Sequence, residues 1–313
     1  MRGNVNYQVQ QLYAEVKAIG QSKHQAKLDA RASGAKTTAE VAQKTGIHSY
    51  ATADAYRQIW RAIGEFAKGE YGVKDMERLQ GGHVAAFLES KITDGVSRAT
   101  FDQYSAAASK LETALNRYAN QNQTGTQYSF ELKAVRLLGS QELGARNHEP
   151  RAYADPIKLL RHLDGQHQLV AKLQVESGAR IKEVSLIVEK QLGGVHKDQI
   201  TGQLRGRIIV DGKGGKERTL QVSPATYAEL KAAVAGGDGA FRLEDYKNYL
   251  SDLKEAAMAT GQDYSGSHGL RWDFAQNRMG ELQVCGHTYE EALRQVSLEM
   301  GHERSDITEH YLK

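Results

Sequence analysis

Gly301-His302-Glu303-Arg304-Ser305-Asp306-Ile307-Thr308-Glu309-His310-Tyr311-Leu312-Lys313 closes the chain, and its reading decides the fold. A Gly-His pair stands nine residues before a tyrosine, with Thr308 between them. Further upstream lies Ser267-His268-Gly269-Leu270-Arg271, whose His and Arg share one helix face at i, i+3 spacing. Gly178-Ala179-Arg180-Ile181-Lys182-Glu183 precedes both. Between them stands Val210-Asp211-Gly212-Lys213-Gly214-Gly215-Lys216-Glu217-Arg218, a turn joining two alternating runs. That glycine-rich run lacks the strand–loop–helix context of a nucleotide loop.

Breaking a phosphodiester by direct attack of a protein group sets three demands. A nucleophile must reach phosphorus in line with the leaving oxygen, cationic donors must hold the non-bridging oxygens, and a proton must reach the leaving group. Arginine suits the second task, because its planar fork grips two oxygens and keeps its proton. Histidine and lysine suit proton movement. A free tyrosine has a pKa of about 10 and needs nearby positive charge to attack at neutral pH. The chain holds 15 tyrosines, and the nine-residue distance from a Gly-His is what singles out Tyr311.

Taken in order, the Arg, turn Lys, His-x-x-Arg, Gly-His and Tyr over 180–311 resemble the active site of the tyrosine recombinase (phage integrase) family. The resemblance implies roles. Arg180 and Arg271 would clamp the scissile phosphate, with Glu183 in structural support. Lys213 would be the general acid to the leaving 5′ hydroxyl; Lys216 competes for that role and is otherwise a phosphate contact. His268 would bind phosphate and move a proton. His302 would donate a hydrogen bond to the phosphate, in a Met300-Gly301-His302 version of the family's Leu-Gly-His box. Tyr311 would be the nucleophile, leaving a 3′-phosphotyrosyl bond and a free 5′ hydroxyl. Bond energy is conserved, so neither cofactor nor metal is implied. Arg218, Thr100, Lys110 and Arg117 complete the expected DNA contacts, with Tyr104 beside them. Only Leu312 and Lys313 follow Tyr311, where the family continues with a tail that docks on a neighbour. Either the chain is trimmed or its subunits are expected to communicate through another element.

The bulk of the chain fits this frame. Its 313 residues suffice for one large or two medium domains. Three prolines and many Ala, Gln, Lys and Glu favour helix. One cysteine, Cys285, excludes an internal disulfide, fits a reducing compartment and reads as a small buried side chain. No run of about 20 apolar residues and no leader-type apolar core is present, so a cytoplasmic, nucleoid-associated protein of prokaryotic or phage origin is expected. The 11 histidines form no HExxH and no Cys/His cluster, so no metal site is expected. Residues 1–147 carry 19 Lys and Arg against 14 Asp and Glu, or +5; residues 148–313 carry 22 against 24, or −2. A basic first half suits a polyanionic partner.

Periodicity places helices over 5–30, 38–44, 52–68, 82–91 and 98–119, with a first strand signal near 128. Gly144, Pro150 and Pro156 mark a linker over 139–156. Helices over 156–164 and 166–176 follow, then strands over 184–188, 207–210 and 218–222. Helices resume over 224–235, 243–260, 269–284, 288–300 and 305–312. The fold expected is mainly α with a small antiparallel β-sheet: a helical core-binding domain over 1–147 and an α+β catalytic domain over 148–313, closing on DNA as a C-shaped clamp. Residues 1–45 are an unassigned helical extension, and no separate arm-binding domain is expected. The function expected is site-specific recombination or integration of duplex DNA, as part of a mobile genetic element. The partners the resemblance implies are double-stranded DNA, further copies of the chain in a homotetramer spanning two sites, and accessory directionality or DNA-bending proteins, with no membrane. A type IB topoisomerase or a catalytically silent DNA-binding regulator are the alternatives.

Overall fold

A computed structural model describes residues 1–144, 149–212, 217–302 and 304–313. The chain falls into two compact units, Met1–Asn147 and His148–Lys313.

The first unit is helical: α1 Val5–Ala14, α2 Lys23–Ala32, α3 Thr38–Lys44, α4 Tyr50–Tyr71, α5 Gly81–Thr93, α6 Arg98–Gln121 and α7 Lys133–Glu142. Its core gathers Trp60, Ile63, Phe87, Leu88, Phe101, Leu111 and Leu115, and the Trp60 indole donates to Ala107 O at 2.8 Å. The single helix expected over 5–30 is two. Between them the chain runs extended past Ile47, whose N–H donates to Val16 O at 2.7 Å while Ala18 N–H donates to Ile47 O at 3.0 Å. Val5, Val9, Leu12 and Val16 enter the main core, so the extension is part of this unit rather than an appendage.

Two cations pin the extension down. Lys110 Nζ donates to the carbonyls of Ala42 and Thr45, and Arg117 donates to Glu15 O at 3.1 Å and Lys44 O at 2.9 Å. The carbonyls of Ala42, Lys44 and Thr45 lie at and beyond the end of α3, and that of Glu15 caps the end of α1, places where positive charge is favoured. Lys110 is buried, and burial together with the charges of Arg117 and Lys23 lowers its pKa to about 8. Both side chains, expected at DNA phosphates, are engaged inside the unit.

The signal near 128 is not a strand. Tyr128 and Phe130 are core residues on an extended segment whose backbone bonds go to side chains of α6. Asn116 exchanges two bonds with the Tyr128 backbone at 2.8 and 2.9 Å, and Glu112 accepts from Phe130 N–H at 2.6 Å. Gly139, read as linker, lies in α7. A Cβ there would collide with the Phe101 ring, so close helix packing rather than a chain break explains it.

The second unit runs α8 Pro156–Leu160, α9 Gly165–Ser177, α10 Ile181–Val184, β1 Leu186–Val188, β2 Leu192–Lys197, β3 Leu204–Asp211, β4 Glu217–Val222, α11 Pro224–Gly236, β5 Ala240–Arg242, α12 Tyr246–Thr260, α13 Gly266–Val284, α14 Tyr289–Glu299 and α15 Ser305–Glu309, ending in a 3-10 turn His310–Leu312. The strands form two antiparallel sheets, β2-β3-β4 and β1-β5. Ile208 and Val210 of β3 and Leu220 and Val222 of β4 alternate into the core, the period-2 pattern of a half-buried sheet. Strand residues Val210 and Asp211 pair with Arg218 and Glu217, which sets the hairpin register. The strand expected over 184–188 begins two residues later, because Val184 still belongs to the short helix α10. Cys285, expected buried, is exposed at the end of α13. Among the described residues no helix is long and apolar enough to cross a membrane.

Candidate active site

Four segments of the second unit deliver the pocket. Helix α9 ends at Gly178, whose φ of +61° is left-handed. Glycine tolerates that conformation where other residues strain. Its carbonyl accepts from Arg271 Nη1 and, at 3.4 Å, from Arg218 Nη2, so the negative end of α9 anchors two guanidiniums. A Cβ at Gly178 would also collide with Phe274 of α13. Gly178→Ala is therefore expected to destabilise the unit by about 1–3 kcal/mol through strain and overpacking, read as a lowered urea midpoint.

Beyond Gly178 the chain turns into α10. Glu183 Oε2 accepts from Arg180 N–H at 2.7 Å and Oε1 from Arg180 Nη1 at 3.0 Å. The same carboxylate accepts from Arg218 Nη2 at 2.7 Å. Burial alone would raise the Glu183 pKa, but Arg218, the Arg180 N–H and Arg180 outweigh it and hold it low. Arg218, expected on DNA, is buried here and also donates to Glu299 O. It ties strand β4 to α10 and α14.

Helix α13 supplies His268 and Arg271 on one face. Arg271 has no exposed surface. It donates to Met300 O at 2.6 Å and to His302 Nε2 at 2.9 Å. Since a guanidinium only donates, Nε2 of His302 must accept, which assigns the imidazole proton to Nδ1. Nδ1 lies 2.7 Å from Thr308 Oγ1, itself 2.7 Å from Ser297 Oγ. Burial and the charges of Arg271, Arg180 and Arg218 lower the His302 pKa to about 3.

Tyr311 closes the pocket from the last turn. Its Oη lies 3.0 Å from His268 Nε2, and the Arg271 guanidinium carbon stands 5.8 Å from its ring centroid. The ring packs 5.3 Å from Trp272 and 5.4 Å from His302. Gln276 of α13 holds this turn by donating to Tyr311 O at 3.3 Å and Lys313 O at 3.0 Å. His268 sits at the open rim. Packing around its ring, then Arg271, Arg151 and Arg180, lower its pKa to about 4.

The structure thus brings Arg180, Glu183, Arg218, His268, Arg271, His302 and Tyr311 together. Lys213 and Lys216 lie outside the described residues. Thr100 belongs to the first unit, where its N–H donates to Ser97 Oγ at 3.2 Å in the cap of α6. Sequence reasoning missed the anchoring carbonyls of Gly178 and Met300, the structural task of Arg218, and Trp272 against the nucleophile candidate. A Gly at the end of α9 was the one available signal. It also missed Asp273, a buried carboxyl whose Oδ2 has no partner and whose pKa burial pushes up to about 7.

These shifts set a pH dependence. His268 and His302 have folded pKa values below the unfolded 6.5, so their contribution to stability is complete above 6.5 and lost as pH falls towards 4. Water screens part of the effect at exposed His268. Asp273, raised from 3.8, works the other way and loses its contribution as pH rises towards 7. Asp273→Asn leaves the histidines unopposed. The urea midpoint of that variant is expected to climb more steeply than the parent's from pH 4 to 6.5. Equal slopes would show that Asp273 is ionised in the folded protein.

No protein-family model matches the chain, and no curated protein matches it. Solved structures do. One is the site-specific recombinase XerH bound to palindromic difH substrate in a post-cleavage complex. It has a TM-score of 0.65 and 18% identity over 98% of this chain and 91% of that one. XerH bound to difH substrate in a pre-cleavage complex gives a TM-score of 0.64 and 18% identity over 98% and 92%. With nearly the whole of both chains matched, this chain has the tyrosine-recombinase fold, that of the site-specific recombinase XerH.

Proposed function

We propose that the protein is a site-specific DNA recombinase that cuts and rejoins duplex DNA through a 3′-phosphotyrosyl intermediate. The observation that carries this reading is Tyr311 Oη, 3.0 Å from a neutral imidazole and in one pocket with Arg180, Arg271 and His302. Few other tasks call for a phenol surrounded by fixed cations. The XerH structures, solved on DNA substrates before and after cleavage, support it.

In this mechanism Tyr311 Oη bonds to phosphorus, its proton passes to His268 Nε2, and the bond from phosphorus to the 5′ oxygen breaks. Negative charge builds on the non-bridging oxygens. Arg271 has five N–H groups, three of which are held by Gly178 O, Met300 O and His302 Nε2, and the guanidinium also engages the Tyr311 hydroxyl, so it stands beside the oxygen that attacks. Arg180 sits at the same pocket, oriented by Glu183. By resemblance the leaving 5′ oxygen takes its proton from Lys213, with Lys216 as the competing donor. Attack of a different 5′ hydroxyl on the phosphotyrosine reverses the step and joins new partners. By the same resemblance the working assembly is a homotetramer on two DNA sites, with accessory directionality or DNA-bending proteins as further partners. The domain division at 147 and 148 separates a DNA-gripping helical unit from the unit that performs the chemistry.

The test is a pool of nicked duplexes of randomised sequence, in which the short strand beyond the cut diffuses away and strands the intermediate. A covalent protein–DNA adduct on a denaturing gel is expected. If DNA is bound and no sequence in the pool yields an adduct, the protein is a binding regulator. Relaxation of supercoiled plasmid irrespective of sequence would favour a topoisomerase instead.

A further inference from the structure

Helix α2 carries Lys23, Lys27 and Arg31 at i, i+4 and i+8, a row about 12 Å long at 1.5 Å per residue. All three are exposed. Among the described residues none has a carboxylate partner: nearby Asp29 accepts from Gln25 at 2.8 Å, and Glu40 is held by the N–H groups of Lys36 and Thr37 at 2.6 and 3.2 Å. Like charges at this spacing repel and weaken a helix. The helix has little packing to offset that, since Ala30 is its one buried residue, in a small cluster with Ala35 and Val41. The row therefore does not serve stability.

Its placement points to a ligand. Residues 17–44 hold six Lys and Arg against two Asp and Glu, a net +4, which is most of the +5 of residues 1–147. Helix α3 packs on α6, and α2 packs on α3. The α6 cations Lys110 and Arg117 are tied up by carbonyls of the extension. The extension thus covers two cations and displays three others outside them, near enough for the charge of Lys23 to be felt at Lys110. The chemistry narrows the partner further. Helix α2 has no Phe, Tyr or Trp on which a base could stack, His24 being its one ring, and one large apolar residue, Leu28, too little for membrane insertion.

We propose that the outer face of α2 binds the phosphate backbone of duplex DNA, a second grip outside the catalytic pocket that adds affinity without sequence choice. The proposal rests on the recombinase reading. It makes residues 1–45 a DNA clamp built into the first unit.

The experiment measures binding of the full chain to a duplex of arbitrary sequence across a salt series. Lys23→Gln/Lys27→Gln/Arg31→Gln should flatten the slope of log K against log salt by about 0.9 per lost contact, hence by about 2.7, and weaken binding about ten- to a hundredfold at physiological salt. The charge-preserving variant Lys23→Arg/Lys27→Arg/Arg31→Lys should keep the parent slope, which a merely structural role of these side chains would not produce. Circular dichroism checks that both variants keep their helix content. A folded neutral variant with the parent's slope overturns the inference and leaves the recombinase reading standing. A parent chain that binds no duplex at all overturns both.

Discussion

Tyr311→Phe is expected to abolish the covalent adduct while leaving DNA binding within a fewfold of the parent. The substitution removes one oxygen from a ring that packs against Trp272, His302 and the Arg271 guanidinium, and keeps those contacts. The bonds lost are the one to His268 at 3.0 Å, at the open side of the pocket, and the hydroxyl's contact with Arg271. Stability should thus change by about 1 kcal/mol or less, the net worth of a partly exposed hydrogen bond. Chemistry should fall by about 10⁴ or more, the order seen when an enzyme loses its nucleophile. The readouts separate the two: adduct on a denaturing gel, affinity from a binding titration. An adduct formed by the Tyr311→Phe protein would assign the attack to another residue and remove the centre of the proposed mechanism.

Arg271→Ala is expected to cost the second unit about 3–5 kcal/mol, as breaking a buried charged network does. The guanidinium has no exposed surface and holds Gly178 O, Met300 O and His302 Nε2 at once. Without it two carbonyls and an imidazole nitrogen lose their donor and a cavity opens between α9, α13 and the turn after α14. That is a large share of the stability of a domain of this size. Urea unfolding followed through tryptophan fluorescence in a Trp60→Phe background reports it, because the remaining indole, Trp272, packs 5.3 Å from Tyr311 beside the damaged pocket. A loss below about 1 kcal/mol would mean that the pocket is not organised around Arg271. Activity should vanish in this variant for two entangled reasons, lost phosphate contact and lost architecture, so the stability measurement is the cleaner one.

Much of the pocket was legible in the chain because its parts obey local rules. His268 and Arg271 share a face by helical spacing, Glu183 reaches back to the Arg180 N–H as a short helix start demands, and Thr308 sits where it can meet His302. The hairpin followed from alternation in 207–210 and 218–222. What escaped reading depends on partners distant in sequence. Lys110 and Arg117 look like solvent-seeking cations on a long helix, and nothing local reveals that the carbonyls of Glu15, Ala42, Lys44 and Thr45 fold back onto them. Arg218 reads as a strand residue beside lysines, until Glu183 and the Glu299 carbonyl arrive from other elements. Tyr128 and Phe130 have strand-like side chains, but Asn116 and Glu112 of α6 stand where a neighbouring strand would be. Gly139 punctuates a sequence as a linker does, and only the Phe101 ring shows why it is glycine.

The sulfur of Cys285 opens a practical route into all of this. It is the chain's one cysteine, it is exposed, and it caps the far end of the helix that begins beside His268. Seventeen residues of straight helix separate the two, about 25 Å at the usual rise. A maleimide dye would therefore attach at a single known position, rigidly coupled to the reacting groups yet remote enough to leave them undisturbed. Energy transfer from that dye to a labelled duplex would report when the phosphate arrives, in unaltered protein and in real time.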